Sequence, residues 1–514
     1  MYVTAGLHRS LQRHPDKIAT VHGNRRQSYR QLVDRVARTA SVLRSSGLVA
    51  GDRLSVLSAN SDKMMELMLA GWWCGLVVTP INTRWRPAEV AFALSDSAAS
   101  ALAVDDANLS MALELPGELP LLRIRIYIGE SLAPSSLVPL ENAICNSTTM
   151  EDVRSTSDSL AAIVYTGGTT GFSKGVMLSH GNFWAALMGR MINNPTSCDS
   201  VTLLTAPMFH VAGLGRMLAQ IMAGGTSITL ESFEPQRVTT LLAQECVTDL
   251  MVVPSMLQVL LETDGFESGK LPRLESIFWG AAPITPTLLK QALETFPGVE
   301  FVHTYGMTET AASISSLRVR RDPEFLSGER IRSIGLGGLS CEILIVDEQG
   351  LPVPARTPGE ILVRGPSVML GYWNCPDQTR QVMAEGWLHT GDVGFMDEEG
   401  YLFVIDRIKD MIISGGENIF PVEVENVLAS HPAVAVCAVI GVPHKKWGEA
   451  VHAVVVLQAS AHVSGEDLSA FCRTRLSSFK CPKSYEFRQH LPLTSAGKVQ
   501  KTELRKSLFP SDLP

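Results

Sequence analysis

Residues 161–175 read Ala-Ala-Ile-Val-Tyr-Thr-Gly-Gly-Thr-Thr-Gly-Phe-Ser-Lys-Gly. The unbroken apolar run Ala161-Ala162-Ile163-Val164 has the length and composition of a buried strand. Four glycines, three threonines and one lysine then crowd into positions 165–175. Backbone N–H groups with few side chains around them form a nest for anionic oxygens. The threonines add donors and a ligand for a hard cation, and Lys174 adds a positive charge. A loop leaving the end of a buried strand is also where open α/β sheets receive ligands. The Walker A pattern is excluded, because it needs Gly-Lys-Ser/Thr, whereas Ser173 precedes Lys174 and Gly175 follows it. Taken alone, the stretch reads equally well as a Gly/Thr-rich surface turn.

Helical and strand patterns alternate on both sides of this loop. Ser28-Tyr29-Arg30-Gln31 has the form of a capping box, and Leu32, Val33, Val36 and Leu43 follow at helical spacing until Gly47. Strands are expected at 54–57, 201–204, 227–230, 250–253, 276–279 and 299–302, with helices at 237–245 and 287–295. This alternation implies α/β layers with mostly parallel sheets. After about residue 335 the pattern changes to short strands with Gly, Pro and Asp turns, a smaller β-rich unit at 335–406. The charged run Asp406-Arg407-Ile408-Lys409-Asp410 separates it from a compact α+β unit. The expected organisation is therefore a large domain over 1–406, a hinge at 407–410 and a small domain over 411–514.

Composition narrows the function classes. The 514 residues are 45% hydrophobic and 19% charged, which is globular, and the net charge is −8. No long basic run is present, which argues against nucleic acid as a partner. The nine cysteines form no CxxC pair and no zinc spacing with histidine. Scattered thiols suggest a reducing, cytoplasmic compartment. The most apolar stretch, 64–81, is interrupted by Glu66, Gly71, Gly75 and Pro80 and reads as a buried helix followed by a strand. That leaves no transmembrane segment, while peripheral membrane contact and a homodimer stay open.

Further short stretches carry chemistry. They are Pro207-Met208-Phe209-His210-Val211-Ala212-Gly213, Trp279-Gly280-Ala281-Ala282-Pro283, Thr304-Tyr305-Gly306-Met307-Thr308-Glu309, His389-Thr390-Gly391-Asp392, the run from Asp406-Arg407 to Ser414-Gly415-Gly416-Glu417-Asn418, and Pro492-Leu493-Thr494-Ser495-Ala496-Gly497-Lys498. In this order, together with the Gly/Thr loop, they resemble the adenylate-forming superfamily of acyl-CoA synthetases, luciferases and peptide-synthetase adenylation domains. The resemblance runs over residues 8–508 and is closest to fatty acyl- and aryl-CoA ligases. Gly167 stands where the family more often has Ser or Thr, and Ser173 where it usually has Pro.

The resemblance implies a two-step reaction with ATP, Mg2+ and coenzyme A. A small carboxylic acid becomes an acyl-adenylate, and a thiol then displaces AMP. It implies that Thr166, Gly167, Gly168, Thr169, Thr170, Gly171 and Lys174 hold the phosphates, and that Thr166 and Glu309 bind the metal. Gly280, Ala281, Ala282, Thr304, Tyr305, Gly306, Met307 and Thr308 would surround the adenine. Asp392 and Arg407 would hold the ribose, and Val404 would belong to the same nucleotide-binding set. Lys498, Glu309, Lys174 and His210 would be the catalytic set, with Lys498 bridging the substrate carboxylate and the α-phosphate. Trp184, Phe209, His210, Val211, Gly213, Trp279, Gly306, Met307 and Ala311 would wall the acyl pocket. Gly415, Gly416 and Trp447 would line the coenzyme A route.

No aspartate occupies the Pro207–Gly213 region, so an amino acid substrate is disfavoured. A medium- or long-chain fatty acid is expected first and an aryl or arylpropenoic acid second. The alternatives are a ligase loading a carrier protein, a luciferase-like oxygenase and a non-catalytic binding protein of the same fold. Lys409 falls at the family's hinge position. The substitution Lys409→Pro is expected to impair thioester formation more than adenylation. Equal loss of both half-reactions in single-turnover assays would discard the hinge.

Overall fold

The computed structural model describes residues 1–115, 119–166, 173–193, 196–282, 284–415, 417–459, 461–493 and 499–508. Two large sheets form the body of the protein. One has eight strands, and its centre is parallel: Leu160–Thr166, Val77–Pro80, Arg53–Leu57, Ala99–Val104 and Ile124–Tyr127 lie side by side. The other has nine strands, with Glu300–Met307, Ser276–Gly280, Asp249–Val252, Val201–Leu204 and Thr226–Thr229 as its parallel centre. The α/β expectation holds, and the strands lie within a residue or two of their expected starts.

The apolar runs are explained by layering. The main core lies between the two sheets and is filled by the helices Tyr29–Ser45, Asp62–Trp73, His180–Asn193 and Val211–Ala223. Outer helices cover the far faces. On the strand Leu160–Thr166, Ala162 and Val164 face the main core, while Ile163 and Tyr165 face the outer one. Both faces are dry, so alternation disappears from the sequence. The helix Asp62–Trp73 is buried at every position. Its Glu66 carboxylate is matched by Arg35 Nε at 2.5 Å and the Thr39 hydroxyl at 2.9 Å. Among the described residues no helix is long and apolar enough to cross a membrane.

Local signals set the boundaries. Ser28 caps its helix by accepting from Gln31 N–H, and the Gln31 side chain accepts from Ser28 N–H. Gly47, with φ of 85°, ends that helix in the left-handed conformation. A third sheet is antiparallel and spans Glu342 to Arg407. A fourth, with Val434–His444 and Gly448–Leu457 at its centre, packs with the helices Pro421–Ala429 and Gly465–Arg473 around a separate core.

One buried ion pair sits inside the nine-stranded sheet's inner face. Arg216, 2% exposed, pairs with Asp249 and gives an Nη2 hydrogen bond to the Thr202 hydroxyl at 3.3 Å. Removing one partner of such a pair strands a charge in the core and costs about 3–5 kcal/mol, whereas replacing both by apolar residues is often neutral. Asp249→Ala is therefore expected to lower the unfolding free energy measured by urea titration by that amount. The double variant Arg216→Met, Asp249→Leu should recover most of the loss.

Candidate active site

The strand Leu160–Thr166 pairs antiparallel with Lys174–Ser179, and Thr166 lies opposite Lys174. The Gly/Thr stretch thus connects two adjacent strands, a different arrangement from the strand–loop–helix of a Walker A site. Gly167, Gly168, Thr169, Thr170 and Gly171 lie outside the described residues, as do Pro283, Gly416 and Lys498.

Lys174, at the base of the loop, places its ammonium 5.0 Å from the centroid of the Tyr372 ring. The Tyr372 hydroxyl donates to Glu309 Oε1 at 2.8 Å. Burial, and then the negative Glu309, push the Tyr372 pKa up, so the phenol keeps its proton and remains a donor. Glu309 is 8% exposed, and its carbonyl accepts from Met369 N–H. The loop lysine and the motif glutamate are therefore joined through one tyrosine. Among the described residues no group of three or more His, Cys, Asp and Glu side chains could hold a metal. The oxygens of Thr166 and Glu309 suit a cation that brings phosphate and water ligands with it, as Mg2+ does.

A second cluster centres on Asp392. Its Oδ2 accepts from the Tyr305 hydroxyl at 2.5 Å, and its Oδ1 meets Arg407 Nε at 2.9 Å. Asp392 and Arg407 are direct cross-strand partners. Burial works against the Arg407 charge, but Asp392, Tyr305, Glu309 and Asp410 together outweigh it and the pKa rises. Val404 lies on the same strand as Arg407, at an intermediate depth.

The backbone between these clusters is unusual. A Cβ on Gly280 would lie 2.6 Å from the Thr304 carbonyl oxygen, and one on Gly306 1.7 Å from that of Ala312. Only glycine fits at either place. Ala281 has φ of 68° and Ala311 φ of 54°, left-handed values that cost an alanine energy. Such strain gathers where a ligand needs a particular backbone path. Thr304 gives its hydroxyl to the Trp279 carbonyl at 3.2 Å, which ties this path together. Met307 and Thr308 lead into the turn Thr308–Thr310, where Met307 N–H donates to the Thr310 hydroxyl.

His210 is the N-cap of the helix Val211–Ala223, and its ring lies 4.8 Å from that of Phe209. The turn before it is anchored by Asn60, which donates to the carbonyls of Leu204 and Ala206 and accepts from Met208 N–H at 2.7 Å. Sequence reading missed Asn60, because its partners lie nearly 150 positions away. A Cβ on Gly213 would lie 2.2 Å from the Pro207 carbonyl oxygen, so that glycine serves the close approach of helix and turn.

Two expected pocket walls lie elsewhere. Trp279 is fully buried in the outer core of the nine-stranded sheet and stacks on His303 at 4.9 Å. Its neighbour Phe278 points to the opposite face, toward the helix that starts at His210, because alternate residues of a strand face opposite ways. Trp184 gives its indole N–H to the Tyr2 carbonyl at 2.6 Å and packs against the N-terminal segment.

In the small unit, Gly415 N–H donates to the Trp447 carbonyl at 2.8 Å, and a Cβ on Gly415 would touch the indole at 3.6 Å. The expected coenzyme A residues are thus neighbours. Lys409 is exposed in the turn Ile408–Asp410. Leu493 and Val499 pair across the ends of the segment that contains Lys498. The helix that follows, Lys501–Leu508, is tied down by Lys501 to Glu425 at 2.8 Å and by Arg505 to Asp410 at 3.2 Å.

Comparison with known proteins agrees with this geometry. Residues 7–373 match the AMP-binding enzyme family, and residues 423–498 match the AMP-binding enzyme C-terminal domain. A feruloyl-CoA synthase from Amycolatopsis sp is 38% identical over 494 residues, covering 96% of each chain. The fatty acid–[acyl-carrier-protein] ligase ScoC from Streptomyces coeruleorubidus is 33% identical over 96% of this chain and 94% of its own. The crystal structure of ATP-bound MatB from Rhodopseudomonas palustris superposes with a TM-score of 0.89 at 30% identity, covering 99% of both chains. The chain belongs to the AMP-binding enzyme family, the adenylate-forming superfamily, and is an ATP-dependent, AMP-forming acid–thiol ligase.

Proposed function

We propose that the protein is an aryl- or acyl-CoA synthetase. The observation that carries this reading is the pair of clusters flanking one strained backbone path: Asp392 with Tyr305 and Arg407, and Glu309 with Tyr372 and Lys174. The first suits a ribose and a flat base, and the second suits a polyphosphate. An aryl or arylpropenoic acid takes precedence over a fatty acid, reversing the order drawn from the motifs alone. The 38% identity to a feruloyl-CoA synthase supports this order. The fatty acid–carrier ligase at 33% identity keeps a fatty acid and a carrier thiol as the second reading.

In the first step a carboxylate oxygen attacks the α-phosphorus, and the bond to the β-phosphate breaks to release pyrophosphate. Asp392 and Arg407 orient the ribose, while Lys174 and the Gly/Thr loop hold the leaving phosphates. Thr166 and Glu309 would hold Mg2+, which would screen the phosphate charge. Lys498 stabilises the negative charge that develops between carboxylate and α-phosphate. In the second step the thiol sulfur attacks the acyl carbon and AMP departs. Gly415 and Trp447 border the path of that thiol. Positioning and charge stabilisation carry both steps, without a nucleophilic side chain.

Pyrophosphate exchange across a panel of acids, with and without coenzyme A, tests the reading. Exchange with aromatic acids and coenzyme A consumption are expected. No exchange with any acid would favour a non-catalytic protein, and exchange without coenzyme A use would favour a carrier protein as acceptor. Lys498→Ala should slow adenylation by ~10²–10³ while sparing thioester formation from supplied acyl-adenylate. Asp392→Ala should raise the KM for ATP by roughly 10–100-fold, the worth of lost hydrogen bonds to a charged group.

A further inference from the structure

The helix His180–Asn193 carries Arg190 in its last turn. Phe183, Leu187 and Arg190 recur on one face at helical spacing, and the first two are buried in the main core. Arg190 therefore turns inward, and its guanidinium carbon lies 5.4 Å from the centroid of the Phe278 ring. Arg216 approaches the same ring at 4.6 Å. Two guanidinium groups thus share one aromatic platform, but the carboxylate beside it, Asp249, is taken by Arg216. Among the described residues Arg190 has its ring contact and no hydrogen bond or ion pair. Burial lowers its pKa to about 10, as expected of a cation without a countercharge.

A guanidinium offers five N–H donors, and leaving them without acceptors in a buried setting is costly. The C-terminal dipole of its own helix offsets only ~0.3–1 kcal/mol. Arg190 is not sealed in, since its exposure is intermediate. Nearby, Gly215 borders room rather than a packed seam. A Cβ there would meet only Ala312 at 3.6 Å and Leu187 at 4.0 Å, ordinary contact distances. Leu187 lies one turn before Arg190, and Ala312 opens the strand two residues after the turn that carries Glu309. Gly215 lies five residues after His210 on the helix that His210 caps. The Arg190 guanidinium, without a hydrogen-bond partner among the described residues, thus stands on the acyl side of the nine-stranded sheet, on the face that Phe278 and not Trp279 presents.

We propose that Arg190, held on Phe278, is the distal specificity residue of the acyl site. The acid that the enzyme activates then carries a second oxygen acceptor, a carboxylate or a phenolic oxygen, remote from the reacting carboxylate. This rests on the synthetase reading above. Arg190 gives the acceptor a planar, charged donor that an unsubstituted acid cannot use.

Matched acids test it by pyrophosphate exchange: octanoate against octanedioate, and cinnamate against 4-hydroxycinnamate and 4-carboxycinnamate. The native enzyme should favour the acceptor-bearing member of at least one pair in kcat/KM by roughly 10–100-fold. Which pair discriminates tells carboxylate from phenol. Arg190→Met should erase that ratio by raising KM for the acceptor-bearing acid, and Arg190→Lys should restore part of it. Equal kcat/KM within every pair for the native enzyme would overturn the proposal without use of any variant. So would a variant that lowers both members of a pair alike. No exchange with any acid would overturn the synthetase reading itself, and the proposal with it.

Discussion

Asp392 is the contact on which the arrangement of the site depends. Its two oxygens reach in different directions, one to Tyr305 on the nine-stranded sheet and one to Arg407 at the end of the antiparallel sheet. Arg407 is also the last residue before the turn Ile408–Asp410 that leads into the small unit. A single buried carboxylate thus joins the strand Glu300–Met307, the antiparallel sheet and the turn that opens the C-terminal unit. Such a charge is tolerated inside because both oxygens are matched; with either partner gone, the desolvation cost would return. The strand of Tyr305 and the entry to the small unit are therefore held together by one group.

The second cluster has the same logic with a different polarity. Tyr372 stands between Glu309 and Lys174, donating its proton to the carboxylate and its ring face to the ammonium. It comes from the short strand Gly371–Tyr372, which pairs with the strand of Lys174. The phosphate side of the site is thereby fastened to the edge of the eight-stranded sheet. The body between the clusters is glycine and alanine in conformations that larger residues resist, which brings main-chain groups close to a flat ligand.

Much of this was legible in the sequence, and the reasons for the remainder are physical. Short-range signals read cleanly: the Ser28 capping box, the strand Val201–Leu204 and the helix after Thr285 lie where propensity and capping place them. Asp392, Tyr305 and Arg407, and Glu309 with Lys174, were identifiable because each lies in a recognisable stretch. The facing of the strand Ser276–Gly280 was not. Ile277, Phe278 and Trp279 are all apolar and all buried, so nothing in their order tells which face a ligand meets. Asn60 and Tyr372 escaped notice for another reason. Each acts on residues far away in the chain, and neither stands in a pattern that points there. Arg190 escaped as well, because an arginine in a last helical turn is an ordinary surface feature until its neighbours are known.

The pairing of Leu493 with Val499 has a consequence for how the enzyme's power can change. The two ends of the segment that includes Lys498 are clasped, and the helix beyond is bolted to Glu425 and Asp410. The core of the small unit draws on both sides of that segment, through Leu491 and Leu504. Lengthening, trimming or rewriting those few positions leaves its core untouched and carries little entropic penalty. The small unit can in this sense vary in that stretch without refolding anything.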